Sequence, residues 1–79
     1  MIDRMMKKYQ RSQIDQVRLF NAAYRVGTLC RYWTGEREGE GKIAATRSEA
    51  QMLSGHTAVV WLEGVSGCVA LSHVEAVQP

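Results

Sequence analysis

The sequence predicts a mainly β protein, in which an N-terminal α-helix precedes a small five-stranded barrel with a short helical insertion. Two observations predict this class. Residues 2–24 contain no Pro or Gly and repeat apolar side chains at three- and four-residue steps, which is the period of an amphipathic helix. From Gly27 onward, short runs rich in β-branched and aromatic residues alternate with Gly-rich turns, as in small β domains. We therefore assign the helix to residues 1–25 and the barrel to residues 26–79.

The helix has one apolar stripe that must pack against something. Asp3 suits a helix start, where negative charge is favoured, and Gly27 suits a helix end. The stripe comprises Ile2, Met6, Tyr9, Val17, Phe20 and Tyr24, broadened by Met5, Ile14 and Ala23. Its cover could be its own barrel, a second copy or another partner.

Five strands are predicted, at residues 29–34, 42–46, 57–63, 68–71 and 74–77. Residues 35–41 form a charged, Gly-rich loop, and residues 64–67 form a tight hairpin turn. Ser48 and Gln51 have the spacing of a capping box, and Gly55 stands where a helix would end. This pattern predicts the helical insertion at residues 49–54.

Successive side chains of a strand point to opposite faces, so each residue of the predicted strands can be assigned to the core or to the outer face. The predicted core contains Cys30, Tyr32, Ile43, Val60, Leu62, Val69, Leu71 and Val74. The predicted outer face contains Leu29, Arg31, Trp33, Val59 and Trp61. That outer set is unusually apolar for a face in contact with water.

The end of the chain resembles that of SH3-like barrels. Residues 67–77 read as a hairpin exit, an apolar strand, a one-turn twist and a closing strand, with Val69, Val74 and Val77 at the matching places. Residues 27–32 are similar to the opening Gly-x-x-apolar-x-apolar segment of such barrels. The resemblance implies an SH3-like barrel over about residues 26–78. Ala70 and His73 replace the Pro and Tyr of peptide-binding SH3 domains, so recognition of Pro-rich peptides is not expected.

The size and barrel layout are also similar to those of the plasmid-borne type II dihydrofolate reductase, a tetrameric SH3-like barrel. The pore strand of that enzyme reads Val-Gln-Ile-Tyr, whereas residues 69–72 here read Val-Ala-Leu-Ser. Because the Gln and Tyr are absent, an oligomeric reductase-like enzyme is only the third of three functional interpretations.

No catalytic, cofactor or metal motif is recognisable. Cys30, His56, Cys68 and His73 have suitable atoms for zinc, but their spacing fits no paired-ligand pattern. No apolar run approaches the length of a membrane span, and no secretory signal is apparent. We therefore expect a cytoplasmic, non-enzymatic protein with reduced cysteines, no cofactor, no metal and no membrane association.

Nucleic-acid binding is one interpretation. Trp33 and Trp61 could form a stacking platform beside Arg31, with Arg25, Lys42 and Arg47 nearby. Residues 1–26 carry six basic and two acidic side chains, a net charge of +4, which suits either a nucleic-acid contact or a solvated helix face. The alternative is that Trp33 and Trp61 form a seat for the helix, covered by Tyr9, Phe20 and Tyr24.

Protein binding is the interpretation we favour. A Met- and aromatic-rich helix stripe, combined with outward-facing Leu29, Val59 and Trp61, suits a protein partner or a homo-oligomer. The size and the lack of enzyme motifs are typical of accessory or inhibitor proteins, including those carried by mobile elements.

Overall fold

A computed structural model describes residues 2–77, with side chains described from residue 12 onward. Within that range the chain is mainly β with one helix, as predicted. The elements are α1 (Ile2–Ala23), β1 (Leu29–Tyr32), β2 (Lys42–Ala45), β3 (Gln51–Leu53), β4 (Thr57–Trp61), β5 (Cys68–Ala70), a 3₁₀ turn (Leu71–His73) and β6 (Val74–Ala76). The predicted stripe residues Ile2, Met5, Met6 and Tyr9 lie outside the described side chains.

The six strands form two antiparallel sheets of three strands each, whereas the sequence predicted five strands. Sheet 1 has the order β2-β1-β6, and sheet 2 has the order β3-β4-β5. In sheet 1, Arg31 lies opposite both Ile43 and Glu75. In sheet 2, Val60 lies opposite Val69, which confirms the predicted hairpin.

Thr46 joins the two sheets and the exit of the helix. It forms an isolated bridge with Leu62, directly after β2 and β4. Its amide donates to the Thr28 carbonyl at 2.9 Å, while its hydroxyl accepts from the Gly27 amide at 3.0 Å. Thr46 is only 2% exposed, so its hydroxyl needs these partners, since a buried polar group without one is costly.

The core lies between the sheets and contains seven of the eight predicted residues: Cys30, Tyr32, Val60, Leu62, Val69, Leu71 and Val74. The prediction for Ile43 was wrong, because its side chain is 51% exposed. Ile43 lies opposite the outward-facing Arg31, and that register turns the smaller Ala44 toward the core. Ala50 and Ala58 complete the buried cluster.

Two residues of the predicted outer face are buried. Val59 is 2% exposed and lies in the central strand of sheet 2 between Gln51 and Ala70. Trp33 is 9% exposed. Neither residue belongs to the core cluster, so the alternation of faces is as predicted. The predicted exposure of these two side chains was wrong.

The second half of α1 packs on sheet 2 of the same chain. Val17 and Phe20 contact the core cluster, and Phe20 meets Tyr24 edge to face at 5.0 Å between ring centroids. Two amide side chains fix the position of the helix. Asn21 donates to the Ala50 carbonyl (3.0 Å) and accepts from the Ala50 amide (2.8 Å), while Gln13 accepts from the Ala58 amide (2.9 Å).

The helical insertion predicted at residues 49–54 was wrong. Gln51–Leu53 form β3, which pairs with β4. The Ser48 hydroxyl donates to the Glu49 carbonyl at 3.2 Å and caps no helix. Ser54 and Gly55, both at positive φ (52° and 72°), are the central residues of a turn closed by a bond from the His56 amide to the Leu53 carbonyl.

Candidate interaction surface

Trp33 follows β1 and anchors the Gly-rich loop of residues 34–41. Its indole N–H donates to the Gly39 carbonyl at 3.2 Å. Gly41, at φ +65°, lies so close that an added Cβ would be 2.8 Å from the Trp33 ring and 2.6 Å from the Tyr32 carbonyl oxygen. The Gly-rich loop thus packs on Trp33. The indole is therefore not the open stacking surface that the nucleic-acid interpretation requires.

Arg37 covers the ring of Trp33 from within the same loop. Its guanidinium carbon lies 4.5 Å from the ring centroid. The same group donates to the Ser72 carbonyl at 2.8 Å and to the Glu75 carboxylate at 2.6 Å. Sequence reasoning missed Arg37, because a bond that spans 35 to 38 positions leaves no local pattern.

Trp61 lies apart from Trp33. It belongs to β4 of sheet 2, opposite Cys68, and is half-buried, whereas Trp33 follows β1 of sheet 1. Consequently the two indoles do not share one sheet. The prediction of a single platform built from both Trp residues is not met by this arrangement.

The four predicted basic residues outside the helix stripe are dispersed. Arg31 donates to the Glu40 carbonyl at 2.6 Å on sheet 1, and Arg47 donates to the Leu62 carbonyl at 3.2 Å near sheet 2. Lys42 lines a cleft of about 250 Å³ with Tyr32 and Trp33. Arg25 lies at the exit of the helix, where its carbonyl accepts from the Thr28 hydroxyl.

Two of the exposed large apolar side chains lie on the outer face of sheet 1. Leu29 is 54% exposed and Ile43 is 51% exposed. Because Leu29 lies opposite Ala45 and Ile43 lies opposite Arg31, the two side chains are diagonal neighbours on one face. Val26, just before β1, is also 54% exposed. We call Leu29, Ile43 and Ala45 the apolar band.

A second apolar surface borders the helix. Leu19, which is 69% exposed, lines an open groove of about 380 Å³ with Gln16, Phe20, Ala23, Tyr24 and Leu71. Tyr24, which lines the groove, precedes the exposed Val26 by two residues in the sequence. The predicted helix stripe is thus divided between packing on sheet 2, through Val17 and Phe20, and this groove.

The cysteine and histidine residues do not converge. Among the described residues, no group of three His, Cys, Asp or Glu side chains could hold a metal ion. Both cysteines are free thiols. Burial raises the pKa of the Cys30 thiol above its ordinary value of 9.0, so the reactive thiolate is scarce at neutral pH.

The Nδ1 atom of His73 lies 3.3 Å from the Trp33 carbonyl, so it bears the hydrogen of that bond.

Across residues 2–77, no helix combines the length and apolar character that crossing a membrane requires. Comparison with protein families, with curated proteins and with solved structures finds no match to this chain.

Proposed function

We propose that this chain is a non-enzymatic protein-interaction module built as an SH3-like barrel, and that its partner at the apolar band is a second copy of the same chain. The observation that carries the proposal is the pair of half-exposed side chains, Leu29 and Ile43, on one face of sheet 1. Contiguous exposed apolar surface of this kind usually marks a contact.

The strand pairings support the SH3-like part of the proposal. Strands β3, β4 and β5 form a meander, a 3₁₀ turn joins β5 to β6, and β6 returns to pair with β1. The bridge between Thr46 and Leu62 links the two sheets at one corner. A one-turn twist before a closing strand is the feature that the resemblance at residues 67–77 implies.

The chemistry of the face favours a protein over a nucleic acid. Base stacking needs an accessible aromatic face, and Arg37 covers that of Trp33. The neighbouring loop carries Glu36, Glu38 and Glu40, which would repel phosphates. The apolar band, by contrast, gains free energy when another apolar surface removes it from water.

Three features favour a second copy as the partner. A chain of 79 residues buries only about 60–65% of its unfolded surface, and domains this small are often stabilised by disulfides, metals or association. Both cysteines here are free thiols. A two-fold interface uses the same patch twice, and an uncharged patch such as the apolar band meets its own copy without charge repulsion.

The size of the face sets the extent of the contact. Three strands of about four residues cover about 14 × 13 Å, or roughly 180 Å² of flat sheet. A stable interface buries about 800 Å² on each partner. The contact must therefore extend beyond sheet 1, and the exposed Val26 and Leu19 offer further apolar surface for it.

Sedimentation velocity from about 1 µM to about 1 mM tests this proposal. We expect the wild type to form a dimer and Ile43→Glu to remain a monomer, because the variant places a carboxylate in the apolar contact. Leu53→Glu is the matched control, since Leu53 is 45% exposed on sheet 2, and it should dimerise like the wild type. A wild type that is monomeric throughout, or equal effects of both variants, would refute the proposal.

A further inference from the structure

The partners of the Arg37 guanidinium form a receptor for that group. The Trp33 ring supplies an aromatic face at 4.5 Å, the Ser72 carbonyl accepts at 2.8 Å and the Glu75 carboxylate accepts at 2.6 Å. Two of the three partners are neutral, and the third carries the countercharge. We call Trp33, the Ser72 carbonyl and Glu75 the guanidinium site.

The geometry is specific for a guanidinium. The two terminal nitrogens of Arg37 donate to different acceptors, Nη1 to the Ser72 carbonyl and Nη2 to the Glu75 carboxylate, while the guanidinium carbon lies over the Trp33 indole. A lysine ammonium is a compact point charge that cannot stack and reach both acceptors in the same way. The site therefore distinguishes arginine from lysine.

The resident Arg37 is held in a way that permits exchange. The side chains of Arg37 and Glu75 are 41% and 53% exposed, and ion pairs between exposed groups contribute little in water. Arg37 can therefore leave the site by rotation of its own exposed side chain, while the loop keeps its contacts with Trp33 through Gly39 and Gly41.

From these observations we infer that the guanidinium site binds an arginine side chain of a protein partner, and that Arg37 is a built-in competitor that occupies the site in the free protein. Glu36, Glu38 and Glu40 in the same loop add negative charge near the site, which suits an arginine set in a basic segment. This inference goes beyond self-association, because the ligand is a second kind of protein segment at a different set of residues.

The test is a titration with the peptide acetyl-Gly-Arg-Gly-Arg-Gly-amide at low salt, followed by the indole N–H resonances of both Trp residues. The Trp33 resonance, which reports the bond to Gly39, should shift, and that of Trp61 should stay in place. Arg37→Ala should bind about 3- to 10-fold more tightly than the wild type, because the competitor is gone. Arg18→Ala, which removes the same charge from the exposed side of α1, should bind like the wild type.

Glu75→Gln and the matched lysine peptide complete the experiment. We expect both to weaken binding at least several-fold, and Arg37→Lys to lie between the wild type and Arg37→Ala. The inference is overturned if no variant binds the peptide, if Arg37→Ala and Arg18→Ala bind alike, or if the lysine peptide binds as well. The peptide does not involve Leu29 or Ile43. A wild type that dimerises but does not bind the peptide therefore overturns this inference alone. A wild type that binds the peptide but stays monomeric overturns only the proposed self-association.

Discussion

Single polar side chains decide how the helix meets the sheets. Asn21 presents both an acceptor and a donor to the backbone of Ala50, as a neighbouring strand would. Gln13 presents an acceptor to one backbone amide, that of Ala58. Each contact satisfies a backbone group that would otherwise lose its partner on burial.

Asn21→Ala should therefore lower the free energy of unfolding by ~1–3 kcal/mol, because it leaves two backbone groups of Ala50 without partners. Urea denaturation measures the change. Arg18→Ala on the exposed side of the same helix is the control and should stay within about 0.5 kcal/mol of the wild type. Equal stability of the two variants would show that the amide contact does not hold the helix.

Gly41 is the residue on which the loop around Trp33 depends. Gly41→Ala should lower the free energy of unfolding by ~2–4 kcal/mol, since it adds left-handed backbone strain to a clash with the Tyr32 carbonyl and the Trp33 ring. Gly35→Ala is the matched control, because a Cβ there would meet nothing within 4 Å. Thermal unfolding of the two variants side by side separates a required glycine from a tolerant one, and similar melting temperatures would count against this packing.

At the scale of elements, local sequence predicted the helix and most strands, and failed where distant contacts decide. The strands at residues 57–63 and 68–71 follow from alternation and a Gly-rich turn. The segment at residues 49–54 has a helix-start pattern, but pairing with β4 makes it a strand. Asn21 also accepts a hydrogen bond from the backbone amide of Ala50, and a local sequence pattern cannot reveal a contact between residues so far apart.

The turn after β3 allows a test of this strand assignment. Ser54 is the described non-glycine residue with positive φ (52°), a conformation that Asn tolerates better. Ser54→Asn should raise the free energy of unfolding by ~0.5–1 kcal/mol, because Asn-Gly is the preferred pair in such turns. Ser66→Asn in the β4–β5 turn should have no comparable effect. A destabilised Ser54→Asn would contradict the turn geometry.

At the scale of the molecule, the candidate site could be predicted only in part. The sequence indicated an apolar outer face, and Leu29 is exposed on it. It did not show that Ile43 joins that face, because the β1–β2 register determines which side of β2 faces out. Nor did it reveal the guanidinium site, whose residues come from a loop, the 3₁₀ turn and β6.

The self-association of this face is tested most directly by isotope-filtered NOE spectroscopy on a mixture of ¹³C-labelled and unlabelled protein. Contacts between copies are the only source of signal in that experiment. We predict intermolecular NOEs from the methyl groups of Leu29 and Ile43, with weaker ones from Val26 and Leu19. NOEs that arise instead from Leu53 or Ile14, or none at concentrations where the protein is dimeric, would contradict the proposed interface.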